Sequence, residues 1–320
     1  MVRTIIDGVP VGGKYADPLS DFGFKVLFGR EANKAFLIAF LNDLLKGRKQ
    51  IVDLKYTRTE LHGPQSGYRR SVFDVSCITA QGEQFLIEMQ RTYQDCYKDR
   101  AVYYTAAYLH ELAPRGIRDW DYQLQEVILV SILNFGFADT GPDHYYHWVQ
   151  LTDADSQRVF YPKLAYVFIE LKKFTKTEAQ LTTDLDRWLY LLRHMGALEE
   201  IPQALQQGIF PSVFAVAAIS NLSKEDYMRV TRAMKERWDA YAVRTSAVNE
   251  GKREGREEGL KEGKLNGLQE GLQEGLKEGE LKAKSAIIKS LLAENFPLAR
   301  ICKLTGVTRD FVRRVKMGLA

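Results

Sequence analysis

The chain has 320 residues, 45% of them hydrophobic, with 45 basic and 41 acidic residues for a formal net charge of +4. That length and composition suit one large or two modest globular domains and exclude a disordered or collagen-like chain. No apolar run is long enough to cross a bilayer, Met1 to Lys14 lacks the apolar core of a signal peptide, and three scattered cysteines suit a reducing cytoplasm, so a cytoplasmic protein is expected.

The N-terminal third sets up the hairpin that matters most. Residues 20–28 and 31–46 read as helices. Phe36, Leu37, Phe40, Leu41, Leu44 and Leu45 recur at helical spacing in the second, and Gly47 stops it. Residues 51–58 read as a strand. Two further strands, 71–79 and 84–90, flank a short turn at Gln81 and Gly82. Residues 95–112 are helical.

Val127 to Leu133 and Leu164 to Leu171 are short apolar runs of the kind found in buried strands. Residues 181–249 are mostly helical, with Leu185, Trp188, Leu189 and Leu192 on one face. Strands flanked by helices give an α/β or α+β body over 1–249.

Residues 250–282 hold a repeat, with glycine at every fourth position from Gly251 to Gly279. Each glycine costs a helix about 1 kcal/mol. On a helix the stripe would drift only about 40° per step. A self-associating helix and a flexible spacer therefore both fit.

The last segment, 283–320, resembles a helix-turn-helix. Pro297 suits a helix start, Gly306 falls at the turn, and Thr308 is placed to cap the final helix. Val307, Val312 and Val315 sit at core positions. Arg309, Arg313, Arg314 and Lys316 lie on the polar side of the final helix. The last forty residues carry nine basic and two acidic side chains, whereas residues 1–249 balance. That end suits a polyanion such as DNA; a solvated tail or a self-packing helical hairpin fits the same pattern.

The cysteines (Cys77, Cys96, Cys302) show neither disulfide nor zinc spacing. His144 and His147 read as loop residues, and Glu170 with Lys172 and Lys173 as a structural end to a buried run.

In the 71–90 hairpin, side chains alternate faces. Phe73, Val75 and Cys77 share one face of the first strand, and Phe85, Ile87 and Met89 share one face of the second. That parity puts Asp74 and Glu88 together on the other face, roughly opposite one another, with Gln90 one step along. Such a pair can hold a hard divalent ion. Spacing alone is also met by acidic residues on the wet face of a surface hairpin.

The ordered motifs settle the preference. Asp21-Phe-Gly-Phe-Lys25-Val-Leu-Phe-Gly29, Leu41-Asn42, Phe73-Asp74-Val75, Ile87-Glu88-Met89-Gln90, Arg100, Tyr103-Tyr104, Ile169-Glu170-Leu171-Lys172-Lys173-Phe174 and Trp188 run in one order. Together with the Glu-Gly repeats they resemble the recombination-promoting nuclease/putative transposase (Rpn) family of the PD-(D/E)xK superfamily. The resemblance implies a restriction-endonuclease-like core, a mixed sheet flanked by helices, with a helical C-terminal extension.

It further implies Asp74 and Glu88 as metal ligands for Mg²⁺, with Mn²⁺ as a substitute. Gln90 stands where the superfamily usually has lysine; it can orient a water but carries no charge. Asp21 and Lys25, four apart on one helix face, match the N-terminal motif, and Lys25 is the candidate to supply the missing cation. An ion pair on the helix surface explains that pair equally well. Arg100 either faces a phosphate or braces the hairpin, and Tyr104 reads as a brace.

The implied activity is Mg²⁺-dependent DNA endonuclease action, linked to recombination, mobile elements or defence. The alternative is a nuclease-fold protein of weak or no catalysis that binds DNA or mediates assembly. Double-strand cutting needs two sites and so suits a homodimer, with the 250–280 repeat as the candidate contact.

Overall fold

The computed structural model describes residues 5–6, 9–10, 13–61, 71–113 and 121–319. It divides into two compact units, Met1–Tyr241 and Ala242–Ala320.

The first unit opens with a short antiparallel ladder of β1 (Ile5–Ile6) and β2 (Val9–Pro10). Helix α1 (Asp21–Phe28) follows, its N-terminus capped by Ser20, whose hydroxyl accepts from the N–H of Gly23. Gly23 has no substitute here, because a Cβ would collide with the carbonyl of Asp17. Helix α2 (Lys34–Leu44) then packs its Phe36, Leu37, Phe40, Leu41 and Leu44 inward. Asn42 ties it to the next segment by exchanging two hydrogen bonds with the main chain of Ile51, at 2.8 and 2.7 Å.

Six strands form a mixed sheet in the order β3-β6-β7-β8-β10-β9. They are β3 (Leu54–Tyr56), β6 (Val75–Thr79), β7 (Gln84–Gln90), β8 (Val127–Leu133), β9 (Tyr146–Thr152) and β10 (Val159–Glu170). The pairs β7–β8 and β8–β10 are parallel and the rest antiparallel. A separate ribbon joins β4 (Glu60–Leu61) and β5 (Ser71–Val72).

Helix α3 (Tyr97–Leu112) makes the crossover from β7 to β8. It covers one face of the sheet with Tyr97, Ala101 and Tyr108, which pack against Phe73, Leu86, Val127 and Leu129. The opposite face lies under α1, α2, α4 (Asp184–His194) and α5 (Phe210–Ala217). Trp188 of α4 is wholly buried among Phe28, Phe40 and Phe210, and its indole N–H donates to Asp43 at 2.9 Å.

With helices on both faces, β8 is buried along its whole length, which explains its unbroken Val-Ile-Leu-Val-Ser-Ile-Leu run. Its one polar side chain, Ser131, accepts from the Tyr97 hydroxyl at 3.0 Å.

Several expectations change. The strand expected over 71–79 breaks at Asp74, leaving β5 and β6, and the break sends Phe73 to the α3 side while Val75 and Cys77 stay on the other. The expected strand 51–58 shortens to β3. His147 is on β9 rather than in a loop, and β9 as a whole was not anticipated. Over 181–249 the helices α4 and α5 are separated by short 3₁₀ turns.

Helix α6 (Lys224–Ala293) runs without interruption through the glycine repeat. Within the second unit its repeat is exposed all round, and the added Cβ of each of its eight glycines would meet nothing within 4 Å. The C-terminal hairpin has its own core, in which Ile288, Ile301, Val312 and Val315 are buried. Helix α7 (Leu298–Thr305) ends at Gly306, whose φ of +68° is the left-handed cap expected of the turn glycine. Thr308 caps α8 (Arg309–Lys316). No helix among the described residues is long and apolar enough to cross a membrane.

Candidate active site

The β6–β7 ladder pairs Val75 with Ile87, Ser76 with Leu86 and Cys77 with Phe85. The ladder ends at Val75 and Ile87, and Glu88 continues β7 beyond that end. Asp74 occupies the bend between β5 and β6, where its Oδ2 accepts the main-chain N–H of Met89 at 2.7 Å. That bond fixes the carboxylate against β7. Its other oxygen, Oδ1, takes no hydrogen bond from the described residues. Burial pushes the Asp74 carboxyl above the ordinary aspartate range, with help from the nearby charge of Asp21, while the Met89 N–H, Lys25 and Arg100 pull the other way.

Glu88 sits on β7 beside Ser131 and is only 5% exposed. The wet-face reading of this hairpin therefore fails, because α3 covers it. The cover brings Arg100 onto the site. Its guanidinium forms an ion pair with Glu88 and donates to Gln90 Oε1 at 3.1 Å and Gln94 Oε1 at 2.7 Å. It lies over the rings of Tyr97 and Tyr104, at 5.3 and 5.2 Å. The buried Nε of Arg100 has no hydrogen-bond partner among the described residues. Arg100 thus carries the cation nearest to Glu88, at a site whose strand position, Gln90, has none. Gln90 also donates to the carbonyl of Thr92 at 3.2 Å.

Asp21 and Lys25 of α1 form an ion pair of 2.7 Å. Both line a cleft of about 620 Å³, with Asp74, Thr59, Gly29 and Arg30 around it. Asp74, Asp21 and Lys25 therefore share one cavity, whereas Glu88 lies beneath Arg100 and is not among the residues lining it. Arg229, Arg232 and Glu236 of α6 complete the lining; sequence reasoning had singled out none of them. The only trace in the sequence is that Arg229 and Arg232 stand three apart on a helix.

The remaining candidates, Arg309, Arg313, Arg314 and Lys316, belong to the second unit. All four are exposed on α8, with Val312 and Val315 buried on its other side.

Among the described residues no group of three or more His, Cys, Asp or Glu side chains stands ready to hold a metal ion. Mg²⁺ asks for less, since it keeps several waters and is held by one or two carboxylates. Asp74 is the carboxylate of this pair that lines the cleft, while Glu88 is engaged by Arg100.

Glu170 closes β10 in a different setting. It is wholly buried and accepts from the Phe137 N–H (2.6 Å), Thr140 Oγ1 (2.8 Å), His147 Nε2 (2.5 Å) and Lys173 Nζ (2.9 Å). Burial alone would push its carboxyl up, but these donors outweigh it and hold it below the ordinary glutamate range. The structural reading of this residue accords with that network.

No curated protein and no solved structure matches the chain significantly. The family model for PD-(D/E)XK nuclease family transposases matches residues 18–247, which takes in the α1 motif, the hairpin and α3 through the first turns of α6. Its mixed, helix-flanked sheet agrees with the α/β fold expected of that superfamily. The chain belongs to the PD-(D/E)XK nuclease family transposases.

Proposed function

We propose that this protein is a DNA endonuclease that hydrolyses phosphodiester bonds with Mg²⁺, for which Mn²⁺ can substitute. The observation that carries the reading is Asp74, held by the Met89 N–H against the strand that bears Glu88 and lining a cleft with Lys25, Arg30, Arg229 and Arg232. Mg²⁺ held there would polarise the scissile phosphate and lower the pKa of an attacking water.

The chain's own groups do the rest. The Met89 N–H keeps the Asp74 carboxylate oriented. Gln90 orients a water through its amide. Lys25 offers its ammonium to the phosphate from the cleft wall, released from an ion pair whose partners are 48% and 70% exposed and therefore loosely bound. Arg100 neutralises Glu88 in the resting protein and holds the strand position that lysine otherwise serves. The arginines of α8 contribute sequence-independent grip on DNA. A cytoplasmic homodimer acting in recombination, mobile-element movement or defence is the setting this reading implies.

A second reading rests on one observation. With Gln90 in place of lysine and Arg100 clamped on Glu88, the fold also suits a DNA-binding protein that no longer cuts. Cleavage of supercoiled plasmid in Mg²⁺ or Mn²⁺ separates the two. Cutting by the native protein that disappears in Asp74→Ala, with DNA binding retained, supports the nuclease. Binding without cutting by either protein supports the second reading, and equal cutting by both removes Asp74 from the mechanism.

A further inference from the structure

The first turns of α6 carry a charge pattern that the motifs near Asp74 do not explain. Glu225, Arg229, Arg232 and Glu236 are spaced four, three and four apart, so they form one stripe along the helix. The adjacent stripe, Asp226 and Val230, packs inward. Val230 is 7% exposed, and Asp226 is bound to Arg30 at 2.7 Å while its N–H donates to Ser223 Oγ at 3.1 Å. These contacts dock the start of α6 beside α1 and fix which stripe faces the cleft. Arg229, Arg232 and Glu236 consequently line the same cavity as Asp74, Lys25 and Arg30.

We infer that Arg229 and Arg232 are a phosphate grip that holds the backbone of the DNA strand lying over Asp74, which makes the start of α6 part of the substrate-binding surface. This deepens the nuclease reading and rests on it for the identity of the ligand. The argument is one of placement and availability. Neighbours three apart on a helix have Cβ atoms about 5–6 Å apart, so two guanidiniums reach adjacent backbone positions. Guanidinium also matches phosphate oxygens in a bidentate fork.

Both arginines are available. Arg229 is bound to Glu225 at 2.6 Å and Arg232 to Glu236 at 3.0 Å, but these partners are 61–82% exposed on their own helix. Such pairs hold weakly against water and salt. A polyanion displaces them, and releases counterions as it does so. Glu236 works in the opposite direction, placing a carboxylate in the same cleft and repelling the strand. The two signs within one stripe make the assignment testable from both sides.

The experiment is DNA binding by the full-length protein, followed by anisotropy of a labelled duplex over a range of salt without divalent metal. The expected result for Arg229→Gln/Arg232→Gln is about tenfold to a hundredfold weaker binding at moderate salt, with a log–log salt slope shallower by about 2. Arg229→Lys/Arg232→Lys retains the slope, and Glu236→Gln binds more tightly than the native protein. All three changes are at exposed positions, and circular dichroism confirms the fold. Native affinity and native slope in the double glutamine variant would overturn the grip. The two readings fail separately. If nothing cuts plasmid, the nuclease fails and the grip is still judged by binding. If Asp74→Ala alone loses cutting while the double glutamine variant binds and cuts as the native protein does, the grip fails alone.

Discussion

Two glutamates close apolar strands in almost the same local sequence, Ile87-Glu88-Met89-Gln90 and Ile169-Glu170-Leu171-Lys172. They also lie at the same end of the sheet, since the register aligns Gln90 with Leu133 and Leu133 with Glu170. Taken as letters, the second is the better match to (D/E)xK. Yet its Lys172 is exposed on a 3₁₀ turn, and Glu170 has both oxygens filled by four donors in a wholly buried pocket. The first has an imperfect motif but lies on the strand whose Met89 N–H holds Asp74, whose Oδ1 takes no hydrogen bond from the described residues and whose carboxyl is pushed up by burial. A carboxylate saturated by protein donors has nothing left for a ligand, whereas one kept desolvated and underbonded does. The difference in donors, rather than the motif, separates a latch from a candidate site.

The largest effect that can break this contrast is on activity. Asp74→Asn should lower plasmid cleavage by about a thousandfold, the upper scale for loss of one preorganised electrostatic group, while keeping an acceptor for Met89 N–H and so the melting temperature. Full activity in that variant would leave the contrast without a functional meaning.

Next comes Glu170→Gln, which leaves the half-buried Lys173 against a neutral group and should cost about 3 kcal/mol of stability at neutral pH without changing the cleavage rate of the folded protein. The pH dependence has a definite sign. The folded carboxyl lies below its unfolded value, so its contribution is present above the ordinary glutamate range and is lost as pH falls through the lowered value. Denaturant melts of the two proteins should therefore converge in acid, and a gap that persists there would assign the loss to packing.

Arg100→Gln should cost somewhat less, about 2 kcal/mol, because Glu88 is left buried with only neutral partners. Its cleavage should fall as well, which distinguishes it from the Glu170 variant. The smallest effect is at Lys172, where Lys172→Gln should change stability by under about 0.5 kcal/mol and leave cleavage unaltered. A large loss there would restore the literal motif as a contender.

Much of this was readable because it depends on period and local chemistry. The hairpin of β6 and β7 follows its alternating pattern, the apolar run gave β8, and Gly306 with Thr308 gave the C-terminal turn. What escaped was set by tertiary contacts. Strand β9 carries Tyr146, His147, Trp148, Gln150 and Thr152, too polar for a buried run, and it forms because β10 offers it a ladder at the sheet edge. The break at Asp74 gave no signal, so Phe73 was assigned to the wrong face. The seat of Arg100 requires α3 to lie across the hairpin, and that of Arg229 requires the bond between Arg30 and Asp226.

The glycines of α6 have a geometric consequence for any partner. Seven steps of about 40° sweep the row from Gly251 to Gly279 through roughly 280°, most of the way around the helix. A repeat longer than 3.6 residues calls for right-handed wrapping, and a period of four calls for a steep one. The exposed Leu260, Leu268, Leu272 and Leu276, each following a glycine, wind with the row. Two straight helices of this kind would meet at a crossing a few turns long and then diverge, so any contact between two copies here would be a point rather than a seam.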